Sequence, residues 1–164
     1  MRMWKPWKRK TAPGPAPLDY DALVHLDAED LAEEGIGTAY AELLPRLREY
    51  LSQPAGVVEV TDPDLPAYKV RCAGTEYLIY AGEVPGSEDD SWGNATWALF
   101  DLVNRQLENA PVRLYAINGG NDLGGMLLTP GQAEGARASL PRKADWPYLP
   151  EREGPWFGMP HDPD

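Results

Sequence analysis

The chain has 164 residues, 43% of them hydrophobic, with six Trp and eight Tyr, a composition that predicts one folded domain rather than a disordered chain. Fifteen basic residues against 26 acidic ones give a net charge of −11, which opposes binding to the phosphates of DNA or RNA. The single cysteine excludes an internal disulfide framework.

The charge is distributed unevenly along the chain. The first ten residues contain no acid and five bases, which are Arg2, Lys5, Lys8, Arg9 and Lys10. The remaining 154 residues therefore hold 10 bases against 26 acids, a net charge of −16. A run of Pro and small residues follows the bases, so we predict a disordered basic tail over residues 1–18 rather than a secretory signal.

No run of the sequence is apolar and long enough to span a membrane, so we expect neither a membrane anchor nor a membrane partner. The single cysteine suits a reducing compartment. Together these features lead us to expect a cytoplasmic protein.

Helical patterning begins after the tail. An acidic stretch from Asp27 to Glu34 predicts a short helical turn, ended by Gly35. From about Thr38 to Leu51, apolar residues recur with the three- and four-residue spacing of a core-facing helix. Thr38 is the expected cap of this helix, and its internal proline is expected to kink or divide it.

Three strands are predicted next, over residues 56–60, 68–72 and 76–80. The middle strand alternates apolar and polar residues, which turns Cys72 toward the core. Ala73 and Gly74 are typical of a tight hairpin turn between the last two strands.

A second long helix is predicted from Ser91, as its cap, to about Asn109. Its apolar stripe includes Trp92, Leu99 and Val103, and this stripe predicts the central packing element of the domain.

Two further strands are predicted over residues 112–117 and 126–129, and Thr129 followed by Pro130 predicts the start of a short last helix. The expected fold class is α+β, with a mainly antiparallel sheet of about five strands packed by two long helices and a short C-terminal helix. Residues 19–150 form the expected single domain, and residues 151–164 a loose C-terminal tail.

Residues with catalytic potential are few. The loop from Asn118 to Gly125 is rich in glycine and carries Asp122, but it has no Lys and joins two strands, which favours a hairpin loop over a phosphate cradle. His161 falls in the terminal tail, and His25 stands alone. We therefore predict no catalytic residue, no metal site and no cofactor.

Surface residues are the stronger candidates for function. Acidic side chains near one or two aromatic anchors suit the recognition of a basic protein. The residues predicted to bind a partner are Glu83, Glu88, Asp89, Asp90, Asp122, Trp146 and Tyr148.

Three stretches resemble a family of small bacterial proteins that confer immunity to polymorphic or contact-dependent toxins. They are DSWGNATWALFDLVN at 90–104, RLYAINGGNDLGGMLLT at 113–129 and DWPY at 145–148. The resemblance implies a non-enzymatic inhibitor, made in the cytoplasm, that occludes a cognate toxin. A basic toxin domain would suit the acidic body.

Three hypotheses are therefore open. The first is an immunity protein that neutralises a basic toxin. The second is a small hydrolase or transferase that uses the loop of residues 118–125. The third is a regulatory or scaffold domain that is acidic only for solubility.

Overall fold

The computed structural model describes residues 18–153. Residues 1–17 and 154–164 lie outside the described part, and with them most of the two predicted tails and His161.

The described chain forms an α+β fold. In chain order its strands and helices are β1 Val24–His25, α1 Ala28–Asp30, α2 Ile36–Leu47, β2 Val57–Thr61, β3 Ala67–Cys72, β4 Thr75–Ala81, α3 Ser91–Gln106, β5 Arg113–Ile117, β6 Gly124–Leu128 and α4 Pro130–Ser139. None of the helices in residues 18–153 combines the length and apolar composition needed to cross a lipid bilayer.

The strands form two sheets, so the prediction of one five-stranded sheet is wrong. One sheet has the order β2-β3-β4 and the other β1-β6-β5, with antiparallel pairing throughout. The strand missing from the prediction is β1, which has only two residues and therefore no readable alternation. The hairpin between β3 and β4 turns at Ala73 and Gly74, which both have positive φ as such tight turns require.

The two sheets stay separate because the free edge of β5 is already closed. The side-chain amide of Asn104 bonds both backbone groups of Leu114: the N–H donates to Oδ1 at 2.7 Å, and Nδ2 donates to the carbonyl at 3.0 Å. Farther along, Ala116 exchanges two backbone hydrogen bonds with Tyr148. The hydroxyl of Tyr148 then donates to the carbonyl of Asn118. No backbone group at these positions is left to pair with β4.

Helix α3 packs between the two sheets and supplies much of the core. Its buried residues include Leu99, Phe100 and Val103. Two amides on its flanks reach other elements: Asn94 donates to the carbonyl of Ile79 in β4, and Gln106 accepts from the backbone N–H of Ala55 before β2. The helix is therefore the central packing element, as its apolar stripe predicts.

The predicted helix ends are partly correct. Helix α4 starts with Thr129 as the cap and Pro130 at the first position, and Thr129 and Gln132 bond each other reciprocally. Helix α2, in contrast, begins two residues before Thr38, with Gly35 at the cap position. Pro45 lies inside α2 and does not divide it.

A smaller core covers the other face of the β1-β6-β5 sheet. It joins strand residues such as Ile117 and Met126 to Ala133 and Ala136 of α4. Leu18, the first described residue, is also buried in this cluster.

Replacing Asn104 with Ala should lower the free energy of unfolding by about 2–3 kcal/mol, because the buried N–H and C=O of Leu114 both lose their partner. Urea denaturation measures this change. The matched control is Asn109→Ala at an exposed position, which we expect to shift stability by no more than about 0.5 kcal/mol. Equal effects of the two substitutions would contradict the role given to Asn104.

Candidate functional site

An open groove of about 460 Å³ lies at the start of α3. The residues that line it are Ala32, Glu33, Glu34, Pro66, Tyr80, Glu88, Ser91 and Trp92. They include two aromatic rings, one proline and three glutamates, and no Lys or Arg. We call it the Trp92 groove.

Trp92 is the exposed aromatic residue of this groove. It belongs to the apolar stripe of α3, which predicted a core position, yet 40% of its surface is exposed. It lies in the first turn of the helix, next to the loop between β5 and β6. One edge of its ring comes within 3.9 Å of the position that a Cβ on Gly120 would take.

The two glutamates opposite are held by a kink in the backbone. Between α1 and α2 the turn Leu31–Gly35 leaves helical geometry at Glu33 (φ −93°, ψ 48°) and at Glu34 (φ 66°, ψ 25°). A left-handed backbone at a non-glycine residue is unfavourable, and such strain is common at binding and catalytic sites. The kink brings both carboxylates to the groove, where the sequence pattern predicted only a solvated helical turn.

The acidic surface continues beyond the groove. A neighbouring hollow of about 500 Å³ shares Glu33 and Glu34 and adds Asp30 and Glu42, with His25 at its border. The acidic stretch 27–34 and Glu88 of the 83–90 loop thus converge on one surface, although more than 50 residues separate them in the chain.

The loop of residues 118–125 supports this surface. Its Asn121 side chain donates to carboxylate oxygens of Asp27 and Glu29, at 3.2 and 2.9 Å. Its last two residues, Gly124 and Gly125, lie in β6, where an added Cβ would come within 2.6 Å of the Leu23 side chain and 3.1 Å of the Leu26 side chain. Gly124 and Gly125 therefore serve close packing, and Gly120 adopts a positive φ.

The structure brings one of the predicted acidic residues, Glu88, into the Trp92 groove. Asp89 and Asp90 are exposed in the turn before α3, and Asp122 is exposed in the loop before β6. Glu83 lines a different hollow, beside Leu65 and Lys69.

The two predicted aromatic anchors belong to the fold. Trp146 is half-buried, and its indole N–H donates to the carbonyl of Leu140. Tyr148 is 1% exposed and closes the edge of β5. Burial raises the pKa of its hydroxyl. A partner cannot reach Tyr148 on this surface, and the exposed aromatic ring near the acids is Trp92.

A larger cavity, of about 680 Å³, lies beside β4 and α3 and includes Cys72. Cys72 is 4% exposed, and burial raises the pKa of its thiol, which is the opposite of what a nucleophile needs. The carboxylate of Asp101 in the same cavity already accepts from Tyr77 and Arg105, at 2.7 and 2.6 Å. Burial and this carboxylate raise the pKa of Tyr77.

Among residues 18–153, the side chains of His, Cys, Asp and Glu nowhere form a group of three or more that could hold a metal ion.

Compared with known proteins, the chain matches no protein-family model, and neither the curated proteins nor the solved structures include a significant match.

Gly35→Ala should destabilise the kink beside the Trp92 groove. A Cβ at this position would overlap the backbone carbonyl of Asp30, which cannot move aside without unwinding the turn. We expect a loss of roughly 1–3 kcal/mol in unfolding free energy, measured by urea denaturation. The control is Gly135→Ala in α4, where the new methyl group meets no atom within 4 Å. This second change should raise the free energy of unfolding by about 0.5–1 kcal/mol. Equal losses in both variants would refute the clash assigned to a side chain at position 35.

Cys72 should react slowly with a thiol reagent in the folded protein at pH 8, because its raised pKa and burial leave little accessible thiolate. A Ser52→Cys variant supplies an exposed thiol in the same molecule for comparison. We expect Cys72 to be modified at least about tenfold more slowly than the thiol at position 52, as measured by mass spectrometry of the labelled peptides. Modification of Cys72 at the same rate as position 52, or faster, would reopen a nucleophilic role.

Proposed function

We propose that this chain is a non-enzymatic binding protein that neutralises a basic protein toxin, in the manner of an immunity protein, and that the Trp92 groove is the centre of its binding surface. The observation that carries the proposal is an exposed tryptophan in a groove with three glutamates and no base.

The chemistry of the groove suits a basic protein side chain. An Arg guanidinium can stack on the exposed face of Trp92 while its N–H groups bond a carboxylate. Exposed Trp residues are prominent among the residues that dominate protein interfaces. Glu33, Glu34 and Glu88 line the same groove as Trp92, so one bound segment can meet all three.

The charge of the whole molecule acts in the same direction. The field of an acidic body steers a basic partner toward it and increases the rate of encounter. The same field disfavours nucleic acid, whose phosphates would be brought close to Glu33 and Glu34. Occlusion of a basic active site or substrate groove follows from this complementarity, and the proposal places the chain in the cytoplasm, where such a toxin would act.

The contacts of the other polar groups favour binding over catalysis. Three side chains with raised pKa values, Cys72, Tyr77 and Tyr148, are buried and do not line the groove. In the loop of residues 118–125, the Asn121 amide is engaged by the acids of the first helical segment.

The test uses the toxic domain encoded by the reading frame next to the gene, produced together with this chain. Charge reversal of the groove with Glu33→Lys and Glu88→Lys should abolish protection of growing cells. The affinity for the purified toxin should fall by about two orders of magnitude, because like charges placed together in an interface cost several kcal/mol. Isothermal titration calorimetry measures this change.

The matched control reverses two exposed acids elsewhere, Glu49→Lys and Glu134→Lys, which changes the net charge equally. We expect the control to retain protection and most of the affinity. Equal losses in both double variants would attribute binding to overall charge and contradict the assigned groove. Neighbouring frames that encode no toxic domain would argue against the immunity function itself.

A further inference from the structure

The Trp92 groove has the chemistry of a receptor for a basic, proline-containing segment. Grooves lined by aromatic rings recognise proline-rich chains in the extended polyproline conformation. Because this conformation is largely formed before binding, little conformational entropy is lost on binding. Tyr80, Trp92 and Pro66 supply such a lining, and Glu33, Glu34 and Glu88 would select a segment that also carries bases.

The chain itself carries a segment of this composition. Residues 5–17 read KPWKRKTAPGPAP, with four bases, four prolines and no acid. Residues 135–144 also lack an acid and hold three bases, but they contain one proline only. The charge of the segment is complementary to the groove.

The attachment point allows the segment to reach the groove. Leu18, which follows the segment directly, is buried in the same cluster as Ile117. Three residues after Ile117, Gly120 lies against the ring of Trp92. The three residues from Ile117 to Gly120 span at most about 11 Å, whereas a segment of the length of residues 5–17 would span about 40 Å in polyproline conformation.

We propose that residues 5–17 bind in the Trp92 groove of their own chain and thereby compete with the basic partner. This inference rests on the proposed function, since it assigns a competitor to the same groove. A short tether gives the segment an effective concentration near the millimolar range, so a weak interaction suffices for occupancy. A partner must then displace the segment, which favours strongly basic, high-affinity partners over adventitious ones.

The test places a nitroxide spin label on the full chain at Thr11→Cys, with Cys72→Ala to leave one thiol. In ¹⁵N-resolved spectra, the amide signals of residues 32–34 and 88–92 should be broadened by the label. The broadening should largely disappear in about 1 M salt, where the Debye length is about 3 Å. Reversal of the segment charge with Lys8→Glu, Arg9→Glu and Lys10→Glu should also remove it.

Two results would overturn the inference. One is broadening that is absent from the groove or is centred on another surface, such as the exposed face of the β2-β3-β4 sheet. The other is broadening that passes between molecules when spin-labelled and ¹⁵N-labelled chains are mixed, which would make a second copy the occupant.

A parallel measurement separates this inference from the proposed function. If the segment fills the groove in about nine of ten molecules, its charge reversal should tighten toxin binding about tenfold. Unchanged toxin affinity would overturn the competition, even where Glu33→Lys and Glu88→Lys still weaken binding and so uphold the proposed function. If the segment binds the groove but Glu33→Lys and Glu88→Lys leave the toxin affinity unchanged, the proposed function would be overturned instead.

Discussion

The closed edge of β5 is the constraint on which the rest of the architecture depends. An unpaired strand edge exposes backbone groups that would otherwise bind another strand. Here the amide of Asn104 imitates a neighbouring strand at Leu114, and Tyr148 supplies one at Ala116. Because both partners come from elements outside the sheet, β4 and β5 cannot join, and α3 is left as the element that both sheets share.

The position of the Trp92 groove follows from this arrangement. Helix α3 is covered by sheets along its middle, where Leu99, Phe100 and Val103 are buried. Its first turn meets the loop before β6 and the turn between α1 and α2, and Asn94 of that turn bonds β4. Trp92 is thus placed by the same packing that buries the helix, but its side chain stays 40% exposed in the groove that it shares with Tyr80 of β4.

The predictable features of the fold are local ones. The Thr129–Pro130 start of α4 and the Ala73–Gly74 hairpin follow from backbone chemistry within a few residues, and both are observed. The division into two sheets depends on Asn104 and Tyr148, whose contacts with β5 span 10 and 32 residues and leave no periodic signal. In the same way, the apolar stripe of α3 predicts that Trp92 is buried, but it does not indicate whether another element covers its side chain. The composition of the acidic segments 27–34 and 83–90 predicts that they lie on the surface. Their convergence on one groove depends on the kink at Glu34, which the composition does not predict.

The kink is linked to the β2-β3-β4 sheet by two consecutive hydrogen bonds. The first N–H of α2, at Ile36, donates to the hydroxyl of Tyr68 at 3.2 Å, and that hydroxyl donates to Glu59 of β2 at 2.8 Å. Burial and the Glu59 carboxylate raise the pKa of Tyr68, so its proton is retained across the physiological range and both hydrogen bonds persist. An otherwise unsatisfied helix N-terminus is bonded in this way, which offsets part of the strain at Glu34. The backbone beside Glu33 and Glu34 is therefore tied to β2 and β3, and a basic segment that binds these glutamates meets a backbone that is already ordered.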